Sequence, residues 1–411
     1  MTSANRLMWM FLRAVARGFP VAKNPKRIVV FRNAGLGDFL LTVPALTALR
    51  RLYPDSRITL LTSHSSNGDV AARIASYAGG AGSMPWLSLA QPHLIDDAII
   101  IGRPSLSRET LGALLGARRR GFDLAVNIVD VGTPAATRFK RWAFLALATG
   151  RVRQLGLMRP IFADPDPARH AAQAIGHHIF GPLSFLGELG LDEPYDPTWT
   201  RMDVRVSETA RARAAALKAR WGARGDLIAL APGFILPHKA WPWEKFSALC
   251  GELLRQRPEA TIVLIGVANQ ADIAEAIRAA DPQRIISLFG QTSVEESAAL
   301  FALCDLVVAN DGGAAHLADA VGAPVVSIVP GIEAPNSVEP WNSRHLAVRR
   351  PTPCAPCYGF MTCATGTREC VLDIPVEDVL QKCRSVLGGE DPSASSQGRV
   401  SREEVESGPE S

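Results

Sequence analysis

Short apolar runs alternate along most of this chain with longer segments of helical periodicity. Runs of four or five apolar residues between turns are typical of strands buried on both faces, and the longer periodic segments are typical of helices packed on a sheet. The predicted strands are Arg27–Phe31, Ile58–Thr62, Asp97–Ile101, Leu124–Ile128, Leu227–Ala231, Thr261–Ile265, Arg284–Ser287, Leu306–Ala309 and Val325–Val329. The predicted helices are Phe39–Leu52, Leu111–Arg120, Phe139–Ala148, His177–Leu189, Ser207–Trp221, Trp243–Gln256, Gln270–Ala280, Ser293–Leu303 and Val376–Leu387. This alternation predicts an α/β protein with mostly parallel sheets.

The length of the chain predicts two domains. A chain of 411 residues exceeds one ordinary hydrophobic core. A polar, proline-bearing stretch at Asp192–Asp203 interrupts the pattern and is the candidate linker. We therefore predict two Rossmann-like, doubly wound domains, residues 27–200 and 201–387, that face a central cleft. Ligands of such pairs bind at the carboxyl ends of the strands.

The two ends of the chain differ from the rest in charge. Residues 1–37 carry seven Arg or Lys and no acid, whereas the tail from Gly388 to Ser411 carries six acids and two arginines. Residues 1–26 read as a basic amphipathic segment, with Arg6, Arg13 and Arg17 on one helical face, that either lies on an anionic membrane or packs on its own domain. Residues 388–411 read as a disordered acidic tail. No apolar run is long enough to cross a bilayer.

The segment with the most residues suited to ligand binding is NDGGAAHLADAVGAPVVSIVPG, residues 310–331. Asp311, Gly312 and Gly313 follow a predicted strand, and His316 lies on the next helical segment. Glycines at a strand-to-helix turn let phosphates approach the backbone, where free N–H groups and the helix dipole hold negative charge. The segment predicts a site for a phosphorylated or nucleotide-linked ligand.

A second turn, NAGLGD, follows the first predicted strand. Gly35 and Gly37 allow a tight turn, and Asp38 lies near the start of the next helix. One interpretation makes Asp38 a helix N-cap. The other makes it a general base toward a hydroxyl, because doubly wound folds place ligands at this edge. The turn matches neither a GxGxxG nor a P-loop pattern, and we expect no bound cofactor.

A third turn, APGFILPHKAWPWEKF, follows the predicted strand Leu227–Ala231. Lys239 lies there at a loop-to-helix junction, where it either meets a phosphate as a point charge or is a solvated surface lysine. The two tryptophans beside it, Trp241 and Trp243, favour a site.

Evidence for a metal is weak. Asp164-Pro165-Asp166 matches a metal-binding DxD pattern but lies in a proline-broken loop. Four cysteines with an uncommon spacing, Cys354, Cys357, Cys363 and Cys370, either hold a structural zinc or remain reduced thiols or labile disulfides. The other three, Cys250, Cys304 and Cys383, are predicted core thiols.

Basic residues recur in the first half, among them Arg118–Arg120, Arg138, Arg141 and Arg151. One interpretation of these charges is a nucleic-acid-binding surface, but no aromatic residues alternate with them and no nucleic-acid-binding motif is present. The charges fit an anionic acceptor better than a nucleic acid, and we predict that Arg138 and Arg141 lie on the acceptor side of the cleft.

Together these segments resemble glycosyltransferase family 9, the lipopolysaccharide heptosyltransferases. The resemblance is carried by RNAGLGDFLLTVPALTALRRLYP, APG…HKAWPWEKF, residues 288–331 and the cysteine block, and it spans roughly residues 27–387. It implies a GT-B fold, with the acceptor on the first domain and the nucleotide sugar on the second. It also implies inverting, metal-independent transfer of a heptose from an ADP-activated donor to the lipopolysaccharide inner core, at the cytoplasmic face of the inner membrane.

The resemblance also implies roles for single residues. Asp38 resembles the catalytic base, and Lys239 resembles the residue that meets the donor phosphates. Asp311, Gly312, Gly313 and His316 resemble the donor-binding turn. Gln270 stands where the family usually has a glutamate that holds the donor ribose, which leaves the nucleotide and sugar open. The alternatives are a transferase with another nucleotide sugar, a nucleotide-sugar epimerase and a non-catalytic binding module of the same fold.

Overall fold

The computed structural model describes residues 22–32, 35–63, 84–101, 107–128, 135–150, 152–156, 177–189, 197–359 and 362–388. Several predictions fall outside these residues: the helix through Arg6, Arg13 and Arg17, the Asp164–Asp166 loop, Arg151, and the acidic tail beyond Gly388. The side chain of Arg138 is also outside the described part, although its backbone lies in a described helix.

The first domain contains a five-stranded parallel sheet. Its strands are β1 Arg27–Phe31, β2 Arg57–Ser63, β3 Asp97–Ile101, β4 Leu124–Asn127 and β5 Arg153–Leu155. They lie in the order β3-β2-β1-β4-β5, so the chain reverses its direction of growth between β1 and β4. Val30 at the centre pairs with Leu60 on one side and with Val126 on the other.

The second domain repeats this arrangement. Its strands are β6 Leu227–Ala231, β7 Thr261–Leu264, β8 Ile285–Ser287, β9 Leu306–Asn310 and β10 Val325–Ile328. They lie in the order β10-β9-β6-β7-β8, and the reversal falls between β6 and β9. The prediction of two doubly wound α/β domains is confirmed.

The helices flank the two sheets. They are α1 Leu36–Leu40, α2 Val43–Leu52, α3 Arg108–Arg118, α4 Ala135–Thr149, α5 Phe180–Leu183, α6 Glu208–Arg220, α7 Trp243–Gln256, α8 Ala271–Arg278, α9 Val294–Ala302, α10 Gly313–Ala320, α11 Glu369–Leu372 and α12 Val376–Leu387. Short 3₁₀ turns lie at Pro85–Leu89, Ser184–Leu189, Pro197–Thr200, Pro237–Lys239, Ala268–Gln270 and Arg344–Leu346.

Two helix predictions need correction. The single helix expected at Phe39–Leu52 is two helices, because Pro44 cannot donate a backbone hydrogen bond and lies in the first turn of a new helix. The helix expected at His177–Leu189 is only the short α5 followed by a 3₁₀ turn. The strand β5 escaped prediction because it is three residues long and carries Arg and Gln.

The two faces of the first sheet bury different layers. Ile28 and Val30 on β1 belong to a large core cluster that continues to Ala229 and Ala231 of the second sheet. The alternate residues Val29 and Phe31 face a separate cluster under α3 and α4. The first domain therefore packs its inner face toward the second domain and carries α3 and α4 on its outer face.

Candidate functional site

The candidate residues lie at the point where each sheet reverses its strand order. Asp38 follows β1 and Arg141 lies on the helix after β4, the two strands that flank the reversal in the first sheet. Lys239 follows β6 and Asp311 follows β9, which flank the reversal in the second sheet. Doubly wound folds form their ligand crevice at this position, because the loops on either side of the reversal diverge there.

The turn that carries Asp38 meets the turn that carries Asp311 across the domain interface. A Cβ atom on Gly37 would lie 3.1 Å from Cδ2 of His316. A Cβ atom on Gly313 would lie 3.1 Å from Cβ of Leu36. A side chain at either glycine would crowd this close approach, which brings the predicted base and the predicted donor turn to one place.

Asp38 is not a helix cap. The N-cap of α1 is Gly35, no side chain caps this helix, and Asp38 lies exposed in its first turn. The hydroxyl of Thr42 donates to the backbone oxygen of Asp38 at 2.8 Å and holds the turn. The N-cap interpretation is wrong, and the role as a general base stays a prediction.

Lys239 and Asp311 form an ion pair in the second domain. Lys239 Nζ lies 2.5 Å from Asp311 Oδ2, with side chains 25% and 9% exposed. The lysine is the last residue of a 3₁₀ turn, and the aspartate comes two residues before α10. The N-cap residue of α10 is Gly312, without a side-chain cap, so the first amides of this helix are available to an anion.

His316, on α10 and close to this ion pair, is buried. Burial is the largest influence and lowers its pKa, although the carboxylates of Asp311, Asp319 and Asp38 act in the opposite direction. Its Nδ1 atom is buried and makes no hydrogen bond within the described part of the chain. Contact of His316 with a nucleotide-sugar donor stays a prediction.

The loop that carries Lys239 is held at both ends by one side chain, Asn310. Its Oδ1 accepts from the backbone N–H of Trp241 at 3.0 Å, and its Nδ2 donates to the carbonyl of Pro232 at 2.8 Å. Arg368 adds a third contact, from Nη2 to the carbonyl of Ala240 at 3.0 Å. Sequence reasoning assigned no role to Asn310 or Arg368. A polar residue at the end of the apolar strand β9 was the available signal for Asn310.

Gln270 also binds this loop. Its Oε1 accepts from the backbone N–H of Phe234 at 3.2 Å, and its Nε2 donates to the carbonyl of the same residue at 2.6 Å. In this conformation its amide makes two hydrogen bonds to the backbone of the loop that leads to Lys239. Contact with a donor ribose stays a prediction for Gln270.

A further carboxyl group, Glu333, lies near the ion pair and was missed by sequence reasoning. Burial raises the pKa of Glu333, while His178 and Lys239 act to lower it. The loop that carries it is held by Arg349, which donates to the backbone oxygen of Glu333 at 2.9 Å and pairs with Glu339 at 2.5 Å. The loop after β10 thus forms another wall of the same site.

On the first-domain side, Arg141 braces the carboxyl ends of two strands. Its Nη1 donates to the carbonyl of Ile128 at 2.9 Å, and its guanidinium lies 5.9 Å from the centroid of the Phe31 ring. Arg138 lies one turn earlier on α4, and Gly35 and Gly37 shape the neighbouring turn. Acceptor contact by these four residues stays a prediction.

The four clustered cysteines line one pocket together with His238, beside the turn that carries Lys239. All four are free thiols. Burial raises the pKa of Cys370, whereas the Thr365 hydroxyl lowers that of Cys363. Among the described side chains, no group of three or more His, Cys, Asp or Glu could hold a metal ion, so the zinc interpretation gains no support there.

The other three cysteines are core residues, as predicted. Cys250, Cys304 and Cys383 are buried, and burial raises the pKa of each thiol to about 12.

Comparison with known proteins gives one consistent result. The family model for glycosyltransferase family 9 (heptosyltransferase) matches residues 143–366. The chain is 26% identical to lipopolysaccharide heptosyltransferase 3 of Escherichia coli K12 over 307 residues, which cover 71% of this chain and 79% of the relative.

Two solved structures share its fold. A glycosyl transferase family 9 protein from Veillonella parvula is 19% identical with a TM-score of 0.62, covering 90% of this chain and 99% of that one. The Escherichia coli ADP-heptose lps heptosyltransferase II is 20% identical with a TM-score of 0.61, covering 88% and 99%. These two likenesses support the GT-B fold. Since the family model spans more than half of the chain, including Lys239 and the Asp311 turn, the chain belongs to glycosyltransferase family 9, the heptosyltransferase family.

Proposed function

We propose that this glycosyltransferase moves a heptose from ADP-heptose to the lipopolysaccharide core, with inversion at the anomeric carbon. The observation that carries the proposal is the contact between the Asp38 turn and the Asp311 turn at the strand reversals of both sheets. The relatives support the sugar and the acceptor, because one is named a lipopolysaccharide heptosyltransferase and another carries ADP-heptose in its name.

In this mechanism Asp38 accepts the proton of an acceptor hydroxyl. The hydroxyl oxygen then attacks the anomeric carbon from the face opposite the diphosphate, and the bond from that carbon to the phosphate oxygen breaks. Direct displacement from the opposite face inverts the anomeric configuration. Asp38 is exposed in the first turn of α1, where a substrate can reach its carboxylate.

Negative charge grows on the departing diphosphate, and the second domain supplies the groups that stabilise it. Lys239 provides a positive charge, and the first backbone amides of α10 provide hydrogen-bond donors. We propose that these groups suffice without a metal ion. Transfer should therefore persist in EDTA and should not increase with added Mg²⁺ or Mn²⁺; loss of activity in EDTA that a divalent ion restores would refute this part.

The decisive experiment replaces Asp38 with asparagine, which keeps the size and removes the base. We expect release of ADP during transfer to fall about 10²- to 10⁴-fold, with donor affinity nearly unchanged. Asp55→Asn, an exposed aspartate before β2, is the matched control and should keep full activity. Turnover retained by the Asp38 variant would remove Asp38 from the mechanism. If the unaltered chain binds the donor but shows no turnover, the result would instead favour a non-catalytic binding module.

A donor screen tests the nucleotide and the sugar. ADP-heptose is compared with UDP-, GDP- and dTDP-sugars, with release of the nucleotide as the signal. We expect turnover with the ADP sugar alone. Preference for another nucleotide would point to a different cell-surface glycan, and conversion of the sugar without an acceptor would point to an epimerase.

We place the enzyme at the cytoplasmic face of the inner membrane, peripherally bound, because a lipid-linked anionic acceptor would be met there. None of the described helices is both long and apolar enough to span a bilayer. Fractionation of cells tests this placement: we expect the protein with the inner membrane at low salt and released from it at high salt.

A further inference from the structure

Three leucines of the first domain are exposed on its outer helices. Leu111 and Leu115 on α3 are 39% and 46% exposed, and Leu147 on α4 is 37% exposed. The two helices pack side by side over the outer face of the first sheet. Isolated exposed leucines are ordinary, but here two share one helix and the third lies on the helix packed beside it, and all three are exposed in the described structure.

Two of the leucines lie on one stripe of α3 by helical geometry. Leu111 and Leu115 are four residues apart, so their side chains are neighbours on the same face. Leu114, three residues after Leu111, is buried with Ala117 in the core, so the two exposed leucines border the face of α3 that packs on the sheet. The core covers only part of Leu111 and Leu115, and the exposed remainder extends the apolar face of the helix toward solvent.

Basic side chains surround this stripe. Arg108, Arg118, Arg119 and Lys140 are exposed, and Glu109 is the one exposed acid on the described part of α3. A Cβ atom on Gly150 would lie 3.4 Å from Arg118 Nη2, which places Arg118 beside the end of α4 that carries Leu147. Arg120 is excluded from this set because it pairs with Asp97. We call these seven residues the α3–α4 face: Arg108, Leu111, Leu115, Arg118, Arg119, Lys140 and Leu147.

The position of the α3–α4 face in the fold is also informative. It lies on the side of the first sheet that faces away from the second domain. A helix that follows a strand of a parallel sheet begins near the carboxyl end of the sheet, so the Arg108 end of α3 is on the same edge as Asp38. A flat partner on the α3–α4 face would thus extend to the mouth of the cleft.

We propose that the α3–α4 face docks the enzyme on a membrane that contains anionic lipids. This inference rests on the proposed function, because a lipid-linked acceptor would be presented at such a surface. Three leucines enter the interfacial region while four cations meet the lipid headgroups. Insertion of the leucines or attraction of the cations alone would bind the membrane weakly, and the two together give reversible binding.

The test uses the full chain and sedimentation with vesicles of equal parts phosphatidylcholine and phosphatidylglycerol, with pure phosphatidylcholine vesicles alongside. We expect binding to the anionic vesicles alone, weakened by high salt. Arg118→Ser with Arg119→Ser should weaken binding about 25-fold, at about fivefold for each arginine near the surface. Leu111→Ser with Leu115→Ser should weaken it about 10-fold or more, since both exposed leucines lose their apolar contact.

A matched control separates the surface from net charge. Arg211→Ser with Arg220→Ser removes the same charge from exposed positions of α6 in the second domain and should change vesicle binding less than twofold. Leu111 and Leu115 are only 39% and 46% exposed, so their replacement by serine should lower the melting temperature by about a few degrees, and vesicle binding is measured well below it. Binding by the α3–α4 variants equal to that of the unaltered chain would overturn the proposal, as would loss of binding on deletion of residues 1–21 alone. A change from dimer to monomer without any vesicle binding would identify a second copy of this chain as the occupant and would also overturn it.

Activity separates this inference from the proposed function. The α3–α4 variants should keep the rate on a deacylated, water-soluble acceptor and lose rate on the same acceptor embedded in anionic vesicles. Failure of the unaltered enzyme on both acceptors, with vesicle binding intact, would refute the proposed function and leave the docking surface standing.

Discussion

The Nζ atom of Lys239 lies 2.5 Å from the Oδ2 atom of Asp311, although the two residues come from turns after different strands. The strands β6 and β9 are neighbours in the second sheet, so their carboxyl ends bring the two turns together. The pair places a cation directly beside the uncapped start of α10. In the proposed mechanism a diphosphate takes over this cation from the carboxylate.

Replacing Lys239 with methionine should therefore weaken binding of ADP. We expect a loss of about 10- to 100-fold, the contribution of one charge-assisted hydrogen bond, and Asp311 then also repels the diphosphate. Isothermal titration calorimetry with ADP measures this change. Lys218→Met on α6, where no candidate residue lies, is the control and should bind ADP normally. An unchanged ADP affinity in the Lys239 variant would contradict the assignment.

Asn310 should act through Lys239, because its side chain holds both ends of the Lys239 loop. Asn310→Ala should weaken ADP binding about 10-fold by releasing the loop and leaving two backbone groups without a partner. In a chain that already carries Lys239→Met, the same substitution should have little further effect, since coupled residues are non-additive.

A purely structural role for Asn310 would instead give equal losses in both backgrounds. Thr47→Val serves as the control, because it removes a buried hydroxyl that donates to Val43 within α2, far along the chain from the loop. It should lower the free energy of unfolding and leave ADP affinity unchanged in both backgrounds.

Gln270→Glu distinguishes two roles for the same side chain. If the amide clasps the loop, the new carboxylate loses its donor and faces the carbonyl of Phe234, so ADP affinity should fall about 10-fold. A ribose-binding role gives the opposite sign, because a carboxylate accepts more strongly from a hydroxyl than an amide does. We expect the fall; tighter ADP binding would show that Gln270 meets the ribose. Gln291→Glu, which also removes a donor to a backbone carbonyl, is the control.

Much of this site follows from the sequence because β/α alternation fixes where turns lie. Asp38, Lys239 and Asp311 each follow an apolar strand run, and parallel strands present those turns at one edge. The same reasoning could not find the role of Asn310 or Gln270, because their partners belong to a loop whose path depends on the tertiary fold.

The contact between Gly37 and His316 was also beyond the sequence. It depends on how two separate domains pack, and no local pattern encodes the distance between a turn in one and a helix in the other. The N-cap interpretation of Asp38 was wrong because of a local error in the helix boundary. The helix α1 begins three residues earlier than expected, so Gly35 takes the cap position.

The stability of the folded chain should depend on pH through His177. This residue is buried, its ring lies 4.9 Å from that of Trp341, and burial lowers its pKa from 6.5 to about 3. Its Nε2 donates to the carbonyl of Glu339 at 2.7 Å, and its Nδ1 accepts from the N–H of Ile179 at 3.1 Å. A second proton would set an Nδ1–H against the Ile179 N–H, so the folded chain keeps the imidazole neutral.

The sign follows from the proton count. Below its usual pKa of 6.5, His177 takes up a proton in the unfolded chain but not in the folded chain, so stability is complete above that pH and is lost as the pH falls toward about 3. One proton changes the free energy of unfolding by at most about 1.4 kcal/mol per pH unit. Urea unfolding at about pH 7.5 and about pH 5 measures the slope.

His177→Gln is the matched variant, because glutamine can donate to the Glu339 carbonyl without titrating. The His177→Gln variant should be less stable than the unaltered chain near neutral pH. Its free energy of unfolding should also fall less steeply as the pH is lowered. His316, His93 and His238, whose pKa values burial also lowers, should contribute to the slope that remains. Asp319 and Glu333, whose carboxyl pKa values burial raises, act with the opposite sign in both chains and cancel in their difference. Equal slopes in the two chains would show that His177 does not control acid unfolding of this enzyme.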